Sequence, residues 1–284
     1  MNVITKNTTG FHKNILFNLL SELGYNDIED FQKKNGLTAD GAFGRISYGK
    51  LYSILLKVVE VNFEGYYFKT VKPKNQIIWH HSAGWDNARG MFDWWKNDGV
   101  THVGTSIGIV DDGTVFRGFN EEFWAASIGC TSQIFISNGV PLQYRTGSNG
   151  KPFVANNLML DEGAVAVEVA NWGNLSVKDG KHLSWANAVV PVEKVIELNY
   201  KTFKFYEAYT DGEIKALKYW TLLNALRFQI PVTYSYDDMF AVSKKALSGE
   251  KGLFSHNSYR WDKTDVSPQP KLIEMAKGLE LYMK

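Results

Sequence analysis

The run Ala164-Val165-Ala166-Val167-Glu168-Val169-Ala170 alternates valine with alanine, broken only by Glu168. Side chains in a strand point to opposite faces in turn, so this segment predicts a strand with one valine face and one floor of small side chains carrying a single carboxylate. The valine face must be buried against a second layer. The small floor leaves space for a substrate, and a carboxylate there is partly desolvated, which favours its neutral form and suits it to proton transfer. The other way to place Glu168 is on the solvent side of an edge strand.

Helical periodicity marks the beginning of the chain. Phe11, Ile15, Leu16, Leu19, Leu20 and Leu23 recur at helix spacing, and Gly24 follows as a stop. A second short helix runs through Ile28 and Phe31 to Gly36, and a third pattern runs through Leu51, Leu55 and Val58. These predict a small three-helix bundle over 1–60, a short semi-rigid connection over 61–75, and a larger unit over 76–284. In the larger unit, runs 103–110 and 114–119 flank Asp111-Asp112-Gly113, a hairpin signature. Thr210-Asp211-Gly212-Glu213 is a capping-box pattern ahead of a long helix with Leu217, Trp220 and Leu223.

Composition excludes several classes. With 31 basic and 30 acidic side chains the formal charge is +1, so no global pull toward nucleic acid or an anionic membrane is expected. No stretch approaches the roughly 18 apolar residues of a membrane span, and residues 1–10 are polar, which predicts a soluble chain made without a Sec-type signal. The single cysteine, Cys130, allows no internal disulfide and reads as a small apolar filler.

The chemistry-bearing residues are spread along the chain. The predicted strand over 76–82 contains Trp79-His80-His81-Ser82, and because neighbours face opposite sides, at most one of the two histidines can face a given metal. Near the end, His256 and Asp265 lie nine positions apart in a segment without clear period, which reads either as a charged surface loop or as a loop long enough to bring both to one ion. Two imidazoles and one carboxylate can hold zinc tetrahedrally with a fourth position open, and Glu168 and Lys263 then remain for the chemistry of a metal-assisted hydrolase.

Two resemblances follow from these pieces. Phe31-Gln32-Lys33-Lys34-Asn35-Gly36-Leu37 with Asp40-Gly41-Ala42-Phe43-Gly44 resembles the three-helix peptidoglycan-binding domain that accompanies many cell-wall hydrolases, over about residues 8–58. A generic helical spacer or oligomerisation unit is the plainer alternative. Over about 75–270, Ile77-Ile78-Trp79-His80-His81-Ser82, Val165-Ala166-Val167-Glu168, and Phe254-Ser255-His256 with Lys263-Thr264-Asp265 resemble the zinc-dependent N-acetylmuramoyl-L-alanine amidases of the type shared by phage lysins, bacterial amidases and peptidoglycan recognition proteins.

The resemblance implies an α/β (α+β) fold, a central mixed β-sheet flanked by helices and preceded by the small bundle. It selects His80, with His256 and Asp265, as ligands of one zinc ion per chain, Glu168 as the base, and Lys263 as the group that stabilises the oxyanion. The implied partner is bacterial peptidoglycan, cut between N-acetylmuramic acid and L-alanine by a monomeric, endolysin-like lytic enzyme acting at the wall. The rival is a non-catalytic peptidoglycan-binding protein on the same fold. The chain departs from the family at Thr105-Ser106, at Trp124-Ala125-Ala126-Ser127 and at Asp265-Val266-Ser267, and its substrate contacts are not identified by the motifs. The Gly-, Ser- and Asn-rich stretch 129–157 is expected to form an extra loop over the site or at its rim.

Overall fold

The computed structural model describes residues 1–97, 102–130 and 157–284, so most of the expected rim loop lies outside the described residues. Three helices open the chain: α1 (Phe11–Glu22), α2 (Ile28–Lys34) and α3 (Arg45–Leu55). Asp27 caps α2 by accepting from the Asp30 amide, and Gly24 and Gly36 take positive φ just beyond the ends of α1 and α2. The third helix stops at Leu55, short of the predicted Val58, because Val58–Glu60 forms strand β1 and pairs with a strand of the sheet.

The fold is α/β, with a central mixed sheet flanked by helices. Its further strands are β2 (Gln76–His81), β3 (Ile107–Ile109), β4 (Val115–Arg117), β5 (Ala164–Val169) and, late in the chain, β11 (Gly252–Ser255). The order is β1-β4-β3-β5-β2-β11; β3, β5, β2 and β11 run parallel, and β4 is antiparallel to β3 across the expected hairpin. The valine face of β5, with Ile77 and Trp79 of β2, belongs to the same apolar cluster as α6 (Asp211–Phe228). Trp79 fixes that packing by donating its indole N–H to Thr221 Oγ1 at 3.0 Å. The predicted capping box is present in both directions between Thr210 and Glu213.

The alanine floor is less open than its sequence predicts. Ala164 and Ala166 are buried in a second cluster with Ile128, Leu160, Phe254 and Tyr259. The sheet opens to solvent at the level of Glu168, which is half-buried. Helix α4 (Ala88–Asn97) closes one side: a Cβ on Gly108 of β3 would stand 2.8 Å from Met91 Cε and 3.1 Å from Ala88 Cβ, so glycine there lets the helix approach the sheet.

Between β5 and α6 lies a second sheet that the sequence reading missed. Strands β6 (Asn174–Lys178), β7 (Lys181–Leu183), β8 (Val189–Val190), β9 (Val195–Tyr200) and β10 (Phe203–Glu207) pair antiparallel in the order β8-β7-β6-β10-β9. Residues 61–75 are packed: Phe63 is buried edge-on against Phe92, and buried Lys74 donates to the carbonyls of Phe123 and Glu162, both at 2.9 Å. The chain ends in α9 (Pro270–Leu279), which packs on α6.

Candidate metal centre

Sheet register assembles the site. In β2 and β5, His80 stands opposite Glu168, and Glu168 stands opposite Gly108 of β3. On the other side of β2, Ser255 of β11 pairs with Trp79, so His256, the next residue, falls beside His80. Parallel neighbours in register point to the same face, which gathers these groups at the carboxyl ends of adjacent strands, the usual place for a ligand site in an open α/β sheet.

The return of Asp265 has a local cause. The turn His256–Ser258 redirects the chain after β11, and nine residues later the Asn257 amide donates to Asp265 O (3.2 Å) while Asn257 Nδ2 donates to Val266 O (2.9 Å). Lys201, in the β9–β10 turn, ties the same loop down by donating to Asn257 Oδ1 and to the carbonyls of Trp261 and Lys263.

Three buried ligand atoms converge. His256 Nδ1 is 3.0 Å from Asp265 Oδ2 and 3.1 Å from His80 Nδ1, and His80 Nδ1 is 3.4 Å from Asp265 Oδ2. A tetrahedral zinc with bonds of about 2.0–2.1 Å needs ligand atoms about 3.3–3.4 Å apart, close to these edges. His256 Nε2 lies 2.8 Å from Ile128 O; a carbonyl can only accept, so Nε2 carries the proton and the Nδ1 lone pair faces the centre. Two facing imidazole nitrogens with a carboxylate oxygen between them suit a cation better than one another. Nε2 of His80 is buried and has no hydrogen-bond partner among the described residues, so none of them commits its ring to another task.

Electrostatics favour the same reading. Burial, reinforced by His256, pushes the His80 imidazole down to about 4, so it is neutral and able to ligate at pH 7. Burial alone would raise the Asp265 carboxyl, but the neighbouring histidines outweigh it and hold the group well below the usual carboxylate range. The described residues therefore fit a divalent cation.

Glu168 and Lys263 line the same cleft as His80, His256 and Asp265, a space of about 280 Å³. Burial, then the Asp265 charge, pushes the Glu168 carboxyl well above its ordinary range, partly opposed by Lys263. All five residues singled out in the sequence thus come to one place. His81 points to the other face, where its Nδ1 lies 3.0 Å from Tyr209 Oη. Sequence reading missed the residues that hold the site together, Lys201, Asn257 and the Ile128 carbonyl. A larger cleft of about 570 Å³ at the junction of α3 and the sheet contains none of the clustered ligands; there Arg227 and Tyr52 pair with buried Glu121.

No family model matches the chain, and no curated protein matches its sequence. Among solved structures it is similar to the N-acetylmuramoyl-L-alanine amidase LysC from Clostridium intestinale URNW, at 14% identity and a TM-score of 0.41, over 78% of this chain and 97% of that one. It is also similar to the Drosophila peptidoglycan recognition protein SD, at 12% identity and a TM-score of 0.40, over 78% and 92%. At these values the likenesses carry no functional argument, which rests instead on the side chains of the cleft.

Proposed function

We propose that this chain is a zinc-dependent N-acetylmuramoyl-L-alanine amidase that hydrolyses bacterial peptidoglycan, acting as an endolysin-like lytic enzyme. The observation that carries the reading is the buried triangle of His80 Nδ1, His256 Nδ1 and Asp265 Oδ2 beside a half-buried carboxylate and an ammonium group. His80, His256 and Asp265 would hold the ion. When bound, zinc supplies Lewis-acid polarisation of a carbonyl and acidifies water.

The remaining steps belong to the chain's own residues. Glu168 takes a proton from the attacking water as the new C–O bond forms at the lactyl carbonyl of N-acetylmuramic acid. The Lys263 ammonium stabilises the negative charge that develops on the carbonyl oxygen. Glu168 then delivers its proton to the nitrogen of L-alanine as the C–N bond breaks, so the water is consumed and a free amine and a free acid result. A carboxyl with a raised pKa suits both halves of that transfer. We further assign to α1–α3 the task of holding the polymer, on the strength of their motif alone. Among the described residues no helix is long and apolar enough to cross a membrane.

The test is metal analysis and turbidity loss of purified peptidoglycan, run on the wild type and on His256→Ala. One zinc per chain with lysis, new amino termini on alanine, and loss of both properties in the variant are expected. Wall binding with neither zinc nor hydrolysis would instead make the chain a recognition protein.

A further inference from the structure

Five of the nine tryptophans line one cleft of about 390 Å³ that shares Ser82, Ala83, Trp95 and Glu168 with the metal-centre cleft. They come from separate elements: Trp85 from the loop after β2, Trp94 and Trp95 from α4, Trp172 from the segment after β5, and Trp185 from the β7–β8 turn of the second sheet. Trp85, Trp94 and Trp185 are 67%, 68% and 68% exposed, so packing does not account for them. Isolated exposed apolar side chains are ordinary, but several converging on one cleft mark a binding surface.

The wall is built rather than fortuitous. Trp185 donates its indole N–H to Ala83 O at 2.6 Å, which bridges the second sheet to the loop after β2. The Trp85 and Trp172 rings lie 5.3 Å apart at 58°, presenting two differently inclined faces. Such fixed rings lose little freedom when a ligand arrives.

The lining also states what the ligand is. Among the described residues its lining has no lysine or arginine, and Glu168 is the one ionisable side chain, so these residues offer nothing to the carboxylates of a stem peptide. The ligand that fits is neutral and amphipathic, with a polarised C–H face for the negative faces of the indoles and hydroxyl or acetamido groups at its edge. Ser82 serves such an edge: its oxygen accepts the Gly84 and Asn171 amides at 3.2 and 3.3 Å, leaving its O–H to donate.

We propose that the tryptophan cleft is a saccharide subsite that stacks a pyranose ring of the wall glycan, placing the adjoining lactyl amide at Glu168. This rests on the amidase reading and deepens it. The glycan runs over α4 and the β7–β8 turn, and the stem peptide leaves through the polar cleft beside Lys263. The enzyme therefore prefers polymeric glycan to a sugar-free peptide.

The test uses the full chain and a β-1,4-linked N-acetylglucosamine tetramer, which has the ring and acetamido groups of the glycan but no lactyl ether or peptide. Calorimetry and tryptophan fluorescence should detect binding by the wild type. Trp94→Ala and Trp185→Ala, both at exposed positions, should each weaken it about tenfold or more, and should raise KM on polymeric wall by a similar factor with kcat little changed. Absence of tetramer binding, equal binding by the variants, or dependence of sugar-free stem-peptide binding on the same tryptophans would overturn the subsite. Binding is read without turnover. A chain that binds the tetramer through Trp94 but cuts nothing keeps the subsite and loses the amidase reading, whereas one that cuts wall and ignores the tetramer does the reverse.

Discussion

Glu168 and Asp161 are both carboxyls pushed upward by burial, yet they serve different ends. Glu168 opens on the cleft, so Glu168→Gln is expected to lower hydrolysis about a hundredfold or more while zinc stays at one per chain, checked by turnover alongside metal analysis. Loss of zinc together with activity would instead make Glu168 part of the ion's support. Asp161 faces inward: its Oδ1 accepts the Ser127 and Ile128 amides at 3.0 and 3.1 Å, and so positions the Ile128 carbonyl that receives His256 Nε2. Burial pushes it up to about 6 from an ordinary 3.8. Between those values the folded chain holds the extra proton, so this group's contribution to stability is full below about 3.8 and is lost as pH rises through about 6, by about 3 kcal/mol. Urea midpoints of the metal-free wild type and of Asp161→Asn, taken at pH 4 and pH 7.5, should differ in that direction: the wild type loses stability relative to the variant as pH rises. A constant gap would refute the assignment. The five cleft residues were legible because each sits in a short motif, His80, Glu168 and His256 at or just beyond the end of a strand and Lys263 with Asp265 in the loop that follows β11. The Ile128 carbonyl was not, since a backbone acceptor leaves no mark in side-chain identity.

Helix α6 shows what local sequence can and cannot reveal. Its cap was readable because Thr210 and Glu213 meet within one turn, and Thr210→Ala should cost about 1 kcal/mol in a denaturation series. The next glycine carries a message that needs the third dimension. A Cβ on Gly212 would stand 2.4 Å from Asp111 O, because the helix start docks on the β3–β4 turn. Alanine improves helix propensity by about 1 kcal/mol, but the clash with backbone costs typically 1–3 kcal/mol, so Gly212→Ala should come out neutral to destabilising rather than stabilising. A rise in the denaturation midpoint for Gly212→Ala would show that the turn yields. The second sheet escaped the sequence for another reason. Its strands are half-exposed, β6 and β9 show no strict alternation of buried and exposed positions, and periodicity therefore had little to register.

At the scale of the whole molecule, the helices that begin the chain share one apolar cluster with the sheet. Ile15, Leu16, Leu19, Phe31 and Leu51 belong to the same buried set as Trp220, Leu223 and Val167. Polar contacts close the seam over long separations: Asn14 Nδ2 donates to Met283 O at 2.9 Å, Tyr52 donates to buried Glu121 at 2.8 Å, and Lys218 pairs with Glu22 at 3.0 Å. The three helices were legible from their own period, but this docking was not, because its contacts join residues more than 60 positions apart. A unit whose core is completed by its neighbour should not melt separately. Calorimetry is therefore expected to show one transition, and zinc at a hundredfold excess over its Kd should stabilise the whole chain by about 2.7 kcal/mol. Hydrogen exchange in α1, remote from the ligands in sequence, should slow along with that of β2. Two transitions, with zinc moving one and leaving α1 unprotected, would mean that the bundle folds by itself and merely rests against the sheet.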